Sequence, residues 1–195
     1  MTAARDGSHS AARDGLAGAR GDSRGGTRAV LVLVCGDAAR GDDRAGLLAA
    51  ELVRGWLDGL ATPPRALEPA LAALTGHVDV RDVGQLEPDD VLSASSDEAV
   101  VVVDAARGLP AGQVARRPLA GLGSGGPVPR SSHMLPLRDV LALAETLRGS
   151  LPKGTFVGLG GSAFGLGDPP SDAVLGGVPA FAAAVVEEAA RLLSA

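Results

Sequence analysis

The sequence has one cysteine, no tyrosine, one tryptophan and three phenylalanines in 195 residues. A lone cysteine, Cys35, excludes an internal disulfide and any zinc site made of several cysteines, and it points to a reducing, cytoplasmic compartment. With aromatics at 2%, there is no stacking platform for exposed bases. Positive charge is also scarce: 18 basic residues against 23 acidic ones give a net charge of −5, without the basic footprint a nucleic-acid partner needs. No uninterrupted apolar run approaches the roughly 18 residues of a membrane helix. The first residues, MTAARDGSHSAARDGLAGARGDSRGG, carry charge throughout and lack the apolar segment of a secretory signal. The expectation is a cytoplasmic protein with no membrane and no nucleic-acid partner.

What is present is a large apolar fraction, 46%, punctuated by 28 glycines and 13 prolines. Residues 1–27 are rich in Gly, Ser, Arg and Asp and almost free of large apolar side chains, which predicts a disordered tail. The repeated AARDG at Ala3–Gly7 and Ala11–Gly15 has no sustained period and is a compositional echo. Residues 28–195 read as a single domain. Ala29–Cys35 (AVLVLVC), Ala99–Asp104 (AVVVVD) and Thr155–Leu159 are continuous apolar runs, as expected of strands buried on both faces. Val78–Val83 alternates apolar and charged residues, which suits a half-exposed strand near a sheet edge, and Gln113–Leu119 is a weaker strand. Between them, helical spacing predicts helices over Arg44–Leu60 (apolar at Leu47, Leu48, Leu52 and Trp56), Ala66–Leu74 and Leu137–Arg148 (apolar face Leu137, Val140, Leu141, Ala144 and Leu147). A last helix is predicted over Val178–Leu193, with Pro179 in its first turn. Alternating strands and helices predict an α/β fold: a three-layer α/β/α sandwich with a mostly parallel central sheet of about five strands.

In such sheets ligands bind beyond the carboxyl ends of the strands. Asp42 and Asp43 lie in the loop after the first strand, Asp104 ends another, and His133 precedes a helix. Asp43, Asp104 and His133 together offer two hard oxygens and a borderline nitrogen, a donor set that suits Ni, Zn, Fe or Co better than Ca. His133 must be neutral to bind, so affinity should fall below a pH of about 6.5. Blander roles stand beside this one. Asp42 suits the cap of the following helix, Asp104 suits a turn hydrogen bond, and Ser131 or Ser132 suits the cap of the helix after His133. Cys35 reads as a packed strand end rather than a nucleophile. The glycine-rich stretch Gly158–Gly167 lacks the Lys-Ser/Thr of a phosphate-binding loop.

Four motifs in order resemble the hydrogenase maturation proteases, the endopeptidases that trim the large subunit of nickel–iron hydrogenases. The family's G-N-x-L-x-x-D-[DE]-G-x-G loop corresponds to Gly36–Gly46 (GDAARGDDRAG). Its strand ending in D-A, followed by S-G-x-P-P-G, corresponds to Val100–Ala105 and Arg107–Gly112 (RGLPAG). Its S-S-H before a leucine-rich helix corresponds to Ser131-Ser132-His133 and Leu137–Leu147, and a late F-x-x-G-x-x-L-S-x-x-V loop to Phe164–Val174. Three places depart from the pattern: Asp37 stands where the family has Asn, Arg44 where it has Gly, and Gly160-Gly161-Ser162 where it has an I-x-P or I-E segment; residues 62–76 read as extra chain.

The resemblance implies a hydrolase that recognises nickel already carried by a hydrogenase large-subunit precursor and removes the precursor's C-terminal extension. It places the nickel-recognising positions on Asp43, Asp104 and His133, which it also implies as the catalytic group, with another divalent metal as the alternative. Asp42 is expected to orient its loop. Two other functions stay open at this stage. One is a non-catalytic metal- or precursor-binding relative, motivated by Asp37 and Arg44. The other is a small Mg-dependent phosphohydrolase using Asp43 and Asp104.

Overall fold

A computed structural model describes residues 29–122 and 136–195. The apolar runs form the centre of one five-stranded sheet: β1 Val30–Cys35, β3 Ala99–Ala106 and β5 Gly154–Gly160. Every residue of β1 and β3 is buried. The two weaker strands, β2 Val78–Gly84 and β4 Val114–Pro118, form the edges, and the order is β2-β1-β3-β5-β4. All pairings are parallel except the antiparallel one between β4 and β5. The alternating charges of β2 suit its place, since an edge strand buries less and its charges discourage pairing with another chain.

Successive strand residues point to opposite faces. Val30, Val32, Val34, Val101, Val103 and Ala105 meet one layer, made of α1 Ala45–Leu57, α2 Glu68–Leu74 and α5 Asp172–Leu193. Leu31, Leu33, Cys35, Val100, Val102 and Ala106 meet the other, made of α3 Pro88–Leu92 and α4 Leu137–Arg148. The result is the expected three-layer sandwich. Asp104 shares the parity of Val100 and Val102, and so belongs to the α3–α4 face. From β1 the chain moves outward to β2 and then returns to β3 on β1's other side. The strand order therefore reverses between β1 and β3, the position where open α/β sheets leave a crevice at their carboxyl ends.

Three helices differ from expectation for physical reasons. A 3-10 turn, Gly41–Arg44, precedes α1, whose buried face is Ala45, Gly46, Ala49, Ala50, Val53 and Trp56, with Leu47, Leu48 and Leu52 only part-buried. The small residues allow close approach: a Cβ on Gly46 would stand 2.4 Å from the Cys35 carbonyl oxygen. α1 stops at Leu57, ahead of Pro63 and Pro64. Gly59 turns left-handed (φ 70°), and the Gly59 and Leu60 amides donate to the carbonyls of Trp56 (3.3 Å) and Gly55 (2.8 Å), the hydrogen-bond pair of a Schellman cap.

In α4 the apolar stripe outlasts the core. Leu147 is 63% exposed, because the last turn reaches the amino end of the sheet, where Arg148 donates to the carbonyls of Ala94 and Ser95. α5 begins at Asp172, six residues earlier than expected from Val178, with Ser171 as its N-cap accepting the Val174 N–H. Pro179 therefore lies inside the helix, not in its first turn. A proline there withholds the N–H that the Leu175 carbonyl would take. Leu175 and Pro179 are both exposed, so water can serve that carbonyl. Among the described residues α5 is the one helix long and apolar enough to cross a bilayer, but its buried face packs on the sheet and α1.

Candidate functional site

The site grows from the loop after β1. Gly36 has φ 138°, and a Cβ on it would stand 2.3 Å from the Asp43 carbonyl oxygen, so the chain folds back on itself only with glycine here. The return is secured by the Asp37 N–H donating to Oδ2 of Asp43 (2.9 Å). The Asp37 side chain closes its own turn, accepting from the Ala39 N–H (2.8 Å) and from Nε of Arg40 (3.2 Å). The first of these bonds is one an asparagine would also accept. Arg44, a second departure from the family pattern, is exposed while Gly41, Asp42 and Asp43 are buried.

A second loop, between β5 and α5, is stitched to the first. Gly41 N–H donates to the Asp168 carbonyl (3.0 Å), Asp42 N–H to that of Ala163 (2.6 Å), and Gly167 N–H to that of Ala39 (2.7 Å). Gly41, at φ 47°, has no room for a side chain, since a Cβ would stand 2.5 Å from the Ala163 carbonyl oxygen. The central fastening is the Asp42 carboxylate. Its Oδ2 accepts from the N–H groups of Ser162 (2.7 Å) and Ala163 (2.9 Å), and its Oδ1 from that of Ser171 (2.6 Å). Asp42 is fully buried. Burial alone would raise its pKa, but the amides of Ala163, Ser171 and Ser162 outweigh it and hold the carboxyl below its ordinary value. Asp42 thus does not cap its own helix; it ties together two loops far apart in the chain, in keeping with an orienting role.

Asp43 (1% exposed) and Asp104 (3%) are buried at the carboxyl ends of the adjoining strands β1 and β3, and the 3-10 turn holding Asp43 packs against β3. Both lie within electrostatic reach of the Cys35 thiol. Burial pushes that thiol well above its ordinary pKa, and Asp104, Asp90 of α3 and Asp43 add to the rise. Burial and the neighbouring carboxylates disfavour the thiolate, which suits Cys35 as a packed strand end. His133 lies outside the described residues, as do Ser131 and Ser132. The N-cap of α4 is Pro136, with no side-chain capping bond. The structure therefore places two of the three expected ligands on one rim, and among the described residues no cluster of three metal-ligating side chains occurs. His77 sits at the opposite end of the sheet, its carbonyl accepting the Val30 N–H (2.8 Å).

Two features of the rim escape the sequence pattern. Gly161 is hemmed in, since a Cβ there would stand 2.8 Å from both Cβ of Asp42 and Cζ of Phe164. Arg107, just past β3, lays its guanidinium over the Phe164 ring, 4.1 Å from the centroid. The dipeptide D-A at a strand end gives no hint of a ring supplied by a distant loop.

No family model matches this sequence, and no curated protein matches it either. Solved structures do match. NiFe hydrogenase maturation protease HybD from Thermococcus kodakarensis superposes with a TM-score of 0.60 at 23% identity, over 83% of this chain and 99% of that one. HycI from the same organism gives 0.55 at 24%, over 88% and 96%, and the hydrogenase maturating endopeptidase HybD from E. coli gives 0.58 at 19%, over 80% and 89%. In its fold, a mostly parallel five-stranded sheet between two helix layers, the chain is like the NiFe hydrogenase maturation proteases.

Proposed function

We propose that this protein is an endopeptidase that recognises nickel held by the precursor of a nickel–iron hydrogenase large subunit and removes the precursor's C-terminal extension. The observation that supports this reading is the place of Asp104 at the end of β3 and of Asp43 in the turn after β1, both buried at the reversal point of a sheet that superposes on solved maturation proteases. Their oxygens, with the His133 imidazole, make a donor set fit for nickel. Asp43, Asp104 and His133 would hold the client's ion, which would supply Lewis-acid chemistry to the peptide bond.

The chain's own residues do the rest. Asp42 and the glycines at Gly36 and Gly41 hold the Asp43 turn against β3, so both carboxylates meet the client preorganised. One of the two carboxylates takes the proton of the attacking water as general base.

Processing of purified, nickel-loaded precursor, followed as a mass shift, tests this. The Asp43→Ala variant should retain its far-ultraviolet spectrum and lose cleavage. Full cleavage by that variant would overturn the assignment, and tight binding by the unmodified protein without cleavage would favour a non-catalytic precursor-binding role.

A further inference from the structure

Among the described residues, seven arginines spend side-chain donors on acceptors within the chain. Arg54 reaches the Val80 carbonyl and Asp82, Arg148 the carbonyls of Ala94 and Ser95, and Arg191 reaches Glu188 and Thr155. Arg107 differs. It is exposed, among the described residues no carboxylate engages it, and what fixes it is an aromatic face, 4.1 Å from the Phe164 centroid. This happens on a rim rich in carboxylates, where Asp37 is taken up by Arg40 and the Ala39 amide, Asp42 by three amides, and Asp168 by the Gly165 amide.

The platform is firm. Phe164 is 8% exposed and belongs to the core, and its ring closes against Gly161, on whose other side sits Asp42. The Gly161 amide donates to the carbonyl of Ala106, the last residue of β3, at 3.2 Å. Stacking occupies the guanidinium's face and leaves its N–H edge, the part that matches a carboxylate as a two-pronged fork. A side chain already ordered on a ring also loses less freedom on binding than a free one. Asp104 precedes Arg107 by three residues, so their Cα atoms are at most about 10 Å apart.

We propose that Arg107, laid on Phe164, anchors a carboxylate of the client polypeptide three or four residues from the bond that Asp43 and Asp104 serve. This rests on the endopeptidase reading. The carboxylate has two possible sources, an Asp or Glu side chain beside the cut and the free C-terminus of the extension, and both present the same fork-shaped acceptor. Arg107 is then a specificity residue, which raises the occupancy of the site without taking part in bond cleavage.

The test is steady-state processing of nickel-loaded precursor by the unmodified protein, Arg107→Lys and Arg107→Gln. A parallel measurement takes equilibrium binding of the same variants to a nickel-loaded precursor whose bond at the cut has been made uncleavable, which does not depend on turnover. Arg107→Gln should raise KM about tenfold with kcat held, Arg107→Lys should lie between because it keeps the charge and loses the fork, and the binding defect should shrink at high salt. Precursors with acidic residues near the cut changed one at a time to amides, and one with an amidated C-terminus, identify the source: the matching one shows the same loss and no further loss with Arg107→Gln. Unchanged KM and unchanged binding in Arg107→Gln would overturn the proposal, as would a fall confined to kcat. If the unmodified protein binds but never cleaves, the endopeptidase reading fails, and the binding arm still decides Arg107.

Discussion

The two ends of the sheet make opposite use of space and charge. At the amino end lies a cavity of about 350 Å³ lined by Ala29, Glu98, Lys153, Leu192 and the C-terminal Ala195, among others. Its polar groups serve local structure: Glu98 accepts the Ser95 N–H and Lys153 reaches the Ala195 carbonyl. At the carboxyl end, three aspartates are buried, and one of them consumes three backbone amides to hold two loops in place. Open volume marks the first region and desolvated charge the second. The proposed chemistry lies with the second region, where buried ionisable groups cluster at strand ends.

The contrast is sharpest under substitution. Asp104→Ala should reduce precursor processing by about 10³-fold or more, the scale of losing a general base or an orienting ligand. Asp97→Ala or Glu98→Ala at the amino end should leave it within twofold. Equal losses at both ends, read as initial rates of mass shift, would dissolve the distinction. Next in size is Asp42→Ala, which takes a charged acceptor from three part-buried amides. At about 1 kcal/mol or more per unsatisfied donor, the loss should be about 3 kcal/mol, seen as a shift in the urea midpoint. Asp42→Asn should cost less, since its amide oxygen still accepts.

Glycines give a smaller version of the same comparison. Gly36→Ala meets both a disallowed φ and a carbonyl at 2.3 Å, whereas Gly59→Ala near the amino end meets the same class of φ with nothing within 4 Å. The expected costs are about 3 kcal/mol and about 1 kcal/mol. Near-equal midpoints for the two variants would show that the loop after β1 can relax.

Smallest is the acid dependence. The carboxyls of Asp42 and Glu188 are held below their ordinary values, Asp42 by backbone amides and Glu188 chiefly by Arg191, with burial opposing in each case. A carboxyl depressed in the folded state adds stability that is complete above its unfolded pKa of about 4 and is lost as pH falls through the folded value. Unfolding free energy should therefore be flat from neutrality to about pH 5 and decline below it. Asp42→Ala should flatten that decline.

Much of the fold is legible in the chain because burial on both faces leaves a plain signature. β1 and β3 are unbroken apolar runs, and β2 advertises its edge by alternation. Helix faces were less legible. In α1 the large leucines suggest the core face, yet Ala45, Gly46, Ala49 and Ala50 occupy it, because a helix drawn against Cys35 needs small residues more than apolar ones. Asp43 and Asp104 could be read from their place after strands. Arg107 on Phe164 could not, because a cation–π contact between distant loops has no spacing to betray it.

The sequence by itself determined the layer architecture and the pair of strand-end aspartates, since strand burial and strand ends are local properties written in consecutive residues. Only the tertiary structure decided that Asp42 is a clasp and Pro179 an interior helix residue, and that Arg107 rests on a ring. Each depends on partners brought close by the closing of the sheet, and proximity of that kind has no local record in the chain.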